Sequence, residues 1–454
     1  MSALLDFVKY DELTNWSVAH LLQNHFNYNK DFPLVRIGSF LKRNKTQIDI
    51  EDDVVYKRVT IKLYNNGVFL RDSEIGKNIG TKKQFKIQEG QFLLSKIDAR
   101  NGAFGLATSE VDEAIITADF FAYDIDQTQI EPYYLVLMTT TKHFQRFAQS
   151  ASSGTTGRQR IDEKKFLDVK IPLPSLNKQK EIVKSYQDKI NLATSQLEVI
   201  KTTGIESEAY LYKELGLNTH VDATSKELLN FIDFQNLYVW SCKDLLDNSL
   251  YTSSKYKSFS FNQKSILVED VFRGKSPKYA EKSDKVILNQ KCNRWNDLEL
   301  EYSKSVDSEW FEKIDKKFFT KEGDILINST GEGTIGRATY ITKSYENLIY
   351  DSHILLLRVN KKVIDPLFLT YFINSDLGQK QIDNIKSAIA TKQTELGINN
   401  LKNLQFVIPP VEEQNKIALH IQELQEQIKI LKQQSEMNKT AALEEFEKEV
   451  FSAN

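Results

Sequence analysis

Cysteine is nearly absent from this chain: Cys242 and Cys292 are the only two in 454 residues, and they share no metal-ligand spacing. That argues against a disulfide framework or a thiolate zinc site, and two thiols in so long a chain suit a reducing compartment. Long apolar runs are missing too. None approaches the ~20 residues a membrane span requires, and Met1–Lys9 lacks the basic-then-apolar layout of a signal peptide. A soluble cytoplasmic protein with no membrane contact is expected. Charge of one sign is not in excess: 60 basic side chains stand against 62 acidic ones, for a net charge of −2. No global polycationic field exists to hold nucleic acid indiscriminately, so any DNA-binding surface must be local. Signatures of catalysis are lacking as well. There is no Walker lysine and no Asn/Asp-Pro-Pro-aromatic motif, since Pro409-Pro410 follows Ile408. The six histidines are scattered. His353 lies near Asp351 and Ser352, but neighbours on one strand alternate faces and form no triad by adjacency.

What the chain does have, it has twice. Phe85–Leu94 (FKIQEGQFLL) returns as Phe318–Ile327 (FFTKEGDILI), an offset of 233 from Gly90 to Gly323. Ile130–Leu135 matches Ile364–Leu369 at 234, and Gln179–Ile182 matches Gln414–Ile417 at 235. Landmarks in one order at a nearly constant offset imply two homologous modules, with a period far too long for a solenoid. The length suits about two to four domains of ~150 residues, and a hydrophobic content of 41% supports real cores.

Each module begins with strand-like, turn-punctuated sequence, such as Val54–Tyr56 and Lys285–Leu288. A strand pair follows: Phe92–Ser95 with Ile115–Ile125 in the first copy, Ile325–Asn328 with Leu348–Val359 in the second. Helical segments over Tyr133–Gln149 and Leu367–Ile385 come next. Both modules close on extended proline segments, Ile171–Pro174 and Ile408–Pro410, after which a helix can begin. Ile417, Ile421, Leu424, Ile428 and Leu431 then run at heptad spacing, as do Ile182, Tyr186, Ile190, Ala193, Leu197 and Ile200. The pattern predicts helices over about 177–215 and 412–450. The expected fold class is α+β, with two similar domains (1–174 and 216–410) separated by a pair of long antiparallel coiled-coil helices (175–215 and 411–454) in a pseudo-two-fold arrangement. The plainer alternative packs each helix on its own module.

Gly90–Gly105 (GQFLLSKIDARNGAFG), Gly323–Arg337 (GDILINSTGEGTIGR) and the helix openings Ile171–Lys180 and Ile408–Gln414 resemble type I restriction-modification specificity subunits over essentially the whole chain. The resemblance implies a non-catalytic subunit whose two target-recognition domains each read half of a split, asymmetric double-stranded DNA sequence, with the paired helices as a ruler. It also implies two methyltransferase subunits as partners and, through them, restriction (helicase-nuclease) subunits. No cofactor is expected in this subunit; the partners would use S-adenosylmethionine, ATP and Mg2+. A coiled-coil protein–protein scaffold that never touches DNA is the rival reading, favoured by the near-neutral net charge.

DNA contacts should come from Lys, Arg, Gln and Asn in loops, because phosphate contacts position and base-edge contacts specify. Three places qualify. The loop 152–160 offers Arg158, Gln159 and Arg160, and its counterpart 387–394 offers Lys392 and Gln393. The turn of the strand pair offers Lys96, Arg100 and Asn101 in one copy and Arg337 in the other. Early in the second module stand Lys275, Lys278 and Arg294, with Trp295 beside them. A solvated loop is the bland alternative for each. Gly331-Glu-Gly333-Thr-Ile-Gly336 fits G-x-G-x-x-G, but Arg337–Thr342 is β-branched and aromatic, so no helix should open there to face a pyrophosphate.

Overall fold

Two four-stranded sheets with one strand order carry the repeat. In a computed structural model the described residues are 28–150, 152–153, 160–217, 253–263, 265–268, 270–388 and 394–451. The chain divides into two units, one made of Met1–Gln196 with Gln433–Asn454 and the other of Leu197–Lys432. The first unit holds β1 (Leu41–Asn44), β2 (Phe92–Ser95), β3 (Phe104–Leu106) and β4 (Phe120–Ile125), in the order β1-β4-β2-β3. The second holds β5 (Phe272–Arg273), β6 (Asp324–Asn328), β7 (Ala338–Tyr340) and β8 (Ile354–Arg358), in the order β5-β8-β6-β7. All pairings are antiparallel.

The central strands are buried on both faces, which is why they read as continuous apolar runs. Side chains alternate across a strand. Ile325, Ile327, Leu355 and Leu357 therefore join one core, while Leu326, Ile354 and Leu356 join another with Leu288 and Tyr350. Phe92 and Leu94 part from Leu93 in the same way. Each unit also has a second sheet. In the first it is five-stranded and includes the long hairpin Val55–Ile61 with Val68–Ile75; in the second it is three-stranded, built on Val286–Leu288.

Two sequence expectations need correction. The helical segments are broken, into α1 (Pro132–Thr140) and α2 (Lys142–Ser150) in the first unit, with Thr141 between them. The Thr141 hydroxyl donates to the Met138 carbonyl (2.8 Å) and accepts from the Phe144 N–H (3.2 Å). After α3, defined below, α4 (Pro366–Asn374) and α5 (Asp376–Ile385) break at Ser375, whose hydroxyl binds Phe372 O (2.7 Å) and Gly378 N–H (3.2 Å). A short hydroxyl side chain here closes one helix and caps the next. The strand expected through Leu348–Val359 is also two, because the Asp351 carboxylate accepts the His353 N–H (2.9 Å) and turns the chain between Ile349–Tyr350 and β8. His353 thus sits in a turn, where Nδ1 lies 2.7 Å from Thr330 Oγ1.

The long helices are α3 (Leu176–Leu215) and α6 (Val411–Val450), forty residues each. Both start on the same clip. Gln179, fully buried, accepts the Glu131 N–H (2.8 Å) and donates to Pro174 O (2.8 Å) and Gln129 O (3.1 Å). Gln414 accepts Asp365 N–H (2.6 Å) and donates to Pro409 O (2.7 Å) and Val363 O (3.1 Å). In the first unit α3 and α6 run antiparallel, with Lys178–Glu449 at 2.8 Å at one end and Ser435 Oγ donating to Ala193 O (3.1 Å) further along. In the second, the Tyr210 and His420 rings meet at a tilt with centroids 4.2 Å apart, and Leu211 and Leu215 pack with Ile417 and Ile421.

The seam is more polar than expected. On α6 the buried positions Gln414, Ile421, Ile428, Ser435 and Ala442 recur every seven residues, a period that keeps one stripe facing its partner. Leu197, expected in the seam, is 42% exposed, while Ala193, Thr203 and Ser207 are buried. Small side chains let two helices approach where larger ones would hold them apart.

Candidate nucleic-acid interface

In the first unit the β2–β3 turn is a short 3-10 segment, Ala99–Asn101, closed by Gly102 at φ +77°. Asn101 is exposed, and its carbonyl accepts the Tyr64 N–H at 2.7 Å. The turn's upstream end meets the base of a hairpin formed by Ser152–Ser153 and Arg160–Ile161, since Ile161 N–H donates to Lys96 O (2.9 Å). Lys96 Nζ lies 4.3 Å from the Phe121 ring centroid, which Arg43 also covers at 3.9 Å. Burial, then the neighbouring Arg43 charge, lowers the Lys96 ammonium from its ordinary range. Arg160 is exposed and pairs with Asp119 at 3.1 Å. Lys96 and Arg160 are thus brought together, with Arg100 and Asn101 at the adjoining turn. Arg158 and Gln159 lie outside the described residues.

The second unit repeats the hairpin with Ser387–Ala388 and Thr394–Glu395; Lys392 and Gln393 again lie outside the described residues. Leu396 N–H donates to Ser329 O (2.8 Å), and Glu395 pairs with Arg273. Beside this hairpin a cleft of about 600 Å³ is lined by Thr330, Gly331, Gly333, His353 and Lys386, among others. The glycines serve a turn: Gly331, Gly333 and Gly336 have φ +99°, +72° and +84°, and β7 follows rather than a helix. Arg337 donates to Gly333 O (2.9 Å) and lies 5.7 Å from the Trp295 ring centroid; burial, then Arg294, lowers its guanidinium from the ordinary value. Arg294 is fixed by Glu299 (2.8 Å) and Tyr302. Arg294 and Arg337 therefore share one surface around Trp295. Lys275 lies over Phe318 at 3.9 Å, and the exposed Lys278 faces Asp307 at 3.3 Å. Neither is engaged with the Arg294–Arg337 pair.

Arg43 was not singled out from sequence, whereas Arg273 opens the basic stretch that also carries Lys275 and Lys278. Each stands on the strand opening its four-stranded sheet, β1 and β5, and only the pairing of these strands with β4 and β8 brings them to the hairpins. A lone Arg in a short strand gives no such signal. Among the described residues no cluster of three or more His, Cys, Asp or Glu is placed to hold a metal, and no helix is long and apolar enough to cross a membrane.

The same architecture and sequence pattern occur elsewhere. The profile of the type I restriction modification DNA specificity domain matches residues 29–202 and 268–437. The specificity subunit of the type I restriction enzyme MjaVIII from Methanocaldococcus jannaschii is 24% identical over 421 residues, covering 90% of this chain and 89% of that one. The specificity subunit of the StySPI enzyme from Salmonella potsdam is 23% identical over 301 residues, covering 65% and 58%. A chain from a structure concerned with complex assembly and conformational transition of the type I R-M system superposes with a TM-score of 0.53 at 14% identity, covering 93% of this chain and 98% of that one. With both modules matched, the chain belongs to the type I restriction-modification specificity subunits, which are non-catalytic.

Proposed function

We propose that this subunit reads a bipartite duplex DNA target, one half-site per module, and recruits two methyltransferase subunits and, through them, restriction subunits. Lys96, Arg100, Asn101, Arg158, Gln159 and Arg160 would serve one half-site; Lys275, Lys278, Arg294, Arg337, Lys392 and Gln393 the other. The observation that carries the reading is a duplicated architecture: sheet order, glycine-bearing turn, short antiparallel hairpin and helix clip recur in both units. Duplicated modules suit a target in two parts, since tethering makes the second contact intramolecular. The helices set the unread gap. Forty residues rise about 60 Å at 1.5 Å each, against half-sites that recur every ~34–36 Å on one face of B-DNA. Ile205, Leu419 and Met437 are exposed on these helices and favour protein docking there. No cofactor is assigned to this subunit; S-adenosylmethionine, ATP and Mg2+ would be used by its partners.

The test is a titration of mixed-sequence duplex DNA against the chain with its methyltransferase partners. Affinity should fall linearly with the logarithm of salt concentration, and selection from a randomised duplex pool should return a split site. Absence of binding at low salt would leave a protein–protein scaffold as the better reading.

A further inference from the structure

Each module displays an exposed aromatic ring next to an asparagine held in the left-handed region, and the two copies are built alike. Tyr64 is 77% exposed and Trp295 45%. Asn65 has φ +56° and Asn296 +62°, a conformation that costs non-glycine residues energy and persists only where the surroundings enforce it. The enforcing contacts come from the same region of each module. Asn65 N–H donates to Gly102 O (2.8 Å) in the glycine-bearing turn, and Asn296 N–H to Ala338 O (3.1 Å), two residues beyond Gly336. The side-chain oxygens face the ends of equivalent helices: Asn65 Oδ1 lies 3.5 Å from Thr139 Oγ1 on α1, and Asn296 Oδ1 accepts from Asn374 Nδ2 (2.6 Å) on α4. Gly102 packs closely against this asparagine: at its φ of +77° a side chain would be strained, and a Cβ would sit 3.0 Å from Asn65 N.

The chain reaches this arrangement by different routes. In the first module the pair sits at the tip of the long hairpin; in the second it lies in the loop after Val286–Leu288. Rings fixed in this way are poorly explained as core. Each adjoins the candidate contacts of its module: Tyr64 N–H binds Asn101 O at 2.7 Å, and Trp295 lies beneath Arg337.

We propose that Tyr64 and Trp295 are equivalent specificity-determining residues that stack on or wedge between bases, one in each half-site, with Asn65 and Asn296 as their positioning residues. Aromatic faces suit this task, because a wedge inserted at a base step gains stacking area and selects steps that unstack easily. The inference rests on the DNA-reading function above.

Its test uses the full chain with methyltransferase partners and duplexes selected by the wild type. Tyr64→Ala and Trp295→Ala should each weaken binding about tenfold or more and flatten base preference in one half-site only, a different one for each variant. Tyr64→Phe and Trp295→Phe should retain most of the affinity. In the wild type, selected DNA should quench tryptophan fluorescence, and Trp295→Phe should lose the part of that quenching due to Trp295, one of the four tryptophans of the chain. If the wild type selects a site while both alanine variants keep its affinity and preference, or the fluorescence change on DNA binding is the same in Trp295→Phe as in the wild type, the inference is overturned. If the wild type selects nothing, the DNA-reading function fails first.

Discussion

At the scale of single residues, buried polar groups hold the modules to their helices. Gln414 is completely buried and satisfies the Asp365 N–H and the Val363 and Pro409 carbonyls. Leaving buried partners unsatisfied costs about 1–3 kcal/mol each, so Gln414→Leu should destabilise its unit by about 2–4 kcal/mol, read as a lower denaturant midpoint. Gln179→Leu should do the same in the first unit. Sequence exposed the repetition of these glutamines but not their purpose, because their partners lie 48 to 51 residues away in Glu131, Asp365 and Val363. Asp351 gives a pH test. Burial holds its carboxyl above the ordinary range, opposed by the His353 N–H and by the His353 and Lys304 charges. A raised value in the folded chain means that folding takes up the proton. This contribution is therefore full below the unfolded value of about 3.9 and is lost as pH rises through the folded one. Asp351→Asn should remove that limb of the stability–pH curve; a curve identical to the wild type would contradict the assignment.

Among elements, apolar pattern marked the buried strands and the long helices well. The runs at Phe92–Leu94 and Ile325–Ile327 are the central strands, buried on both faces. Breaks inside elements were less visible, since Thr141 and Ser375 interrupt apolar sequence without glycine or proline. Their hydroxyls end one helix and begin another, and an N-cap contributes about 0.5–2 kcal/mol. Thr141→Ala and Ser375→Ala should each lower stability by about 1 kcal/mol, measured by denaturant unfolding. The coiled-coil seam misled in another way. Ala193 fits the heptad and is buried, but Leu197 fits it and is not, and the buried stripe adds Ser207, Ser435 and Ala442, because close approach favours small side chains over long ones. Of the candidate site, the sequence named basic loops and turns as candidates, and Trp295 beside one of them; the pairing of each aromatic with its asparagine was not visible, because the 231-residue separation breaks the offset that marked every other landmark.

For the whole molecule, a net charge of −2 coexists with cations gathered at two hairpins and their turns. Arg158→Ala combined with Lys392→Ala should weaken DNA binding and reduce the salt slope by up to about 2, since each phosphate left un-neutralised keeps its counterions and subtracts about one. An unchanged slope would remove these two residues from the interface. Inserting seven residues in α3 and seven in α6 preserves the buried stripe and adds about 10 Å of rise. The preferred target should then carry a longer unread gap, visible in a methylation map of the assembled enzyme; retention of the original gap would defeat the ruler.

The first unit draws its core from chain on both sides of the second in sequence. Phe446, Val450 and Phe451 pack with Tyr134, Leu135 and Ile182, and Val450 O accepts the Asn29 N–H. During synthesis, therefore, the earlier-made module must wait, incomplete, until the later one has emerged in full. A nascent chain released before residue 446 would present an open apolar seat, and loss of the final turn of α6 would injure the module farthest from it in sequence.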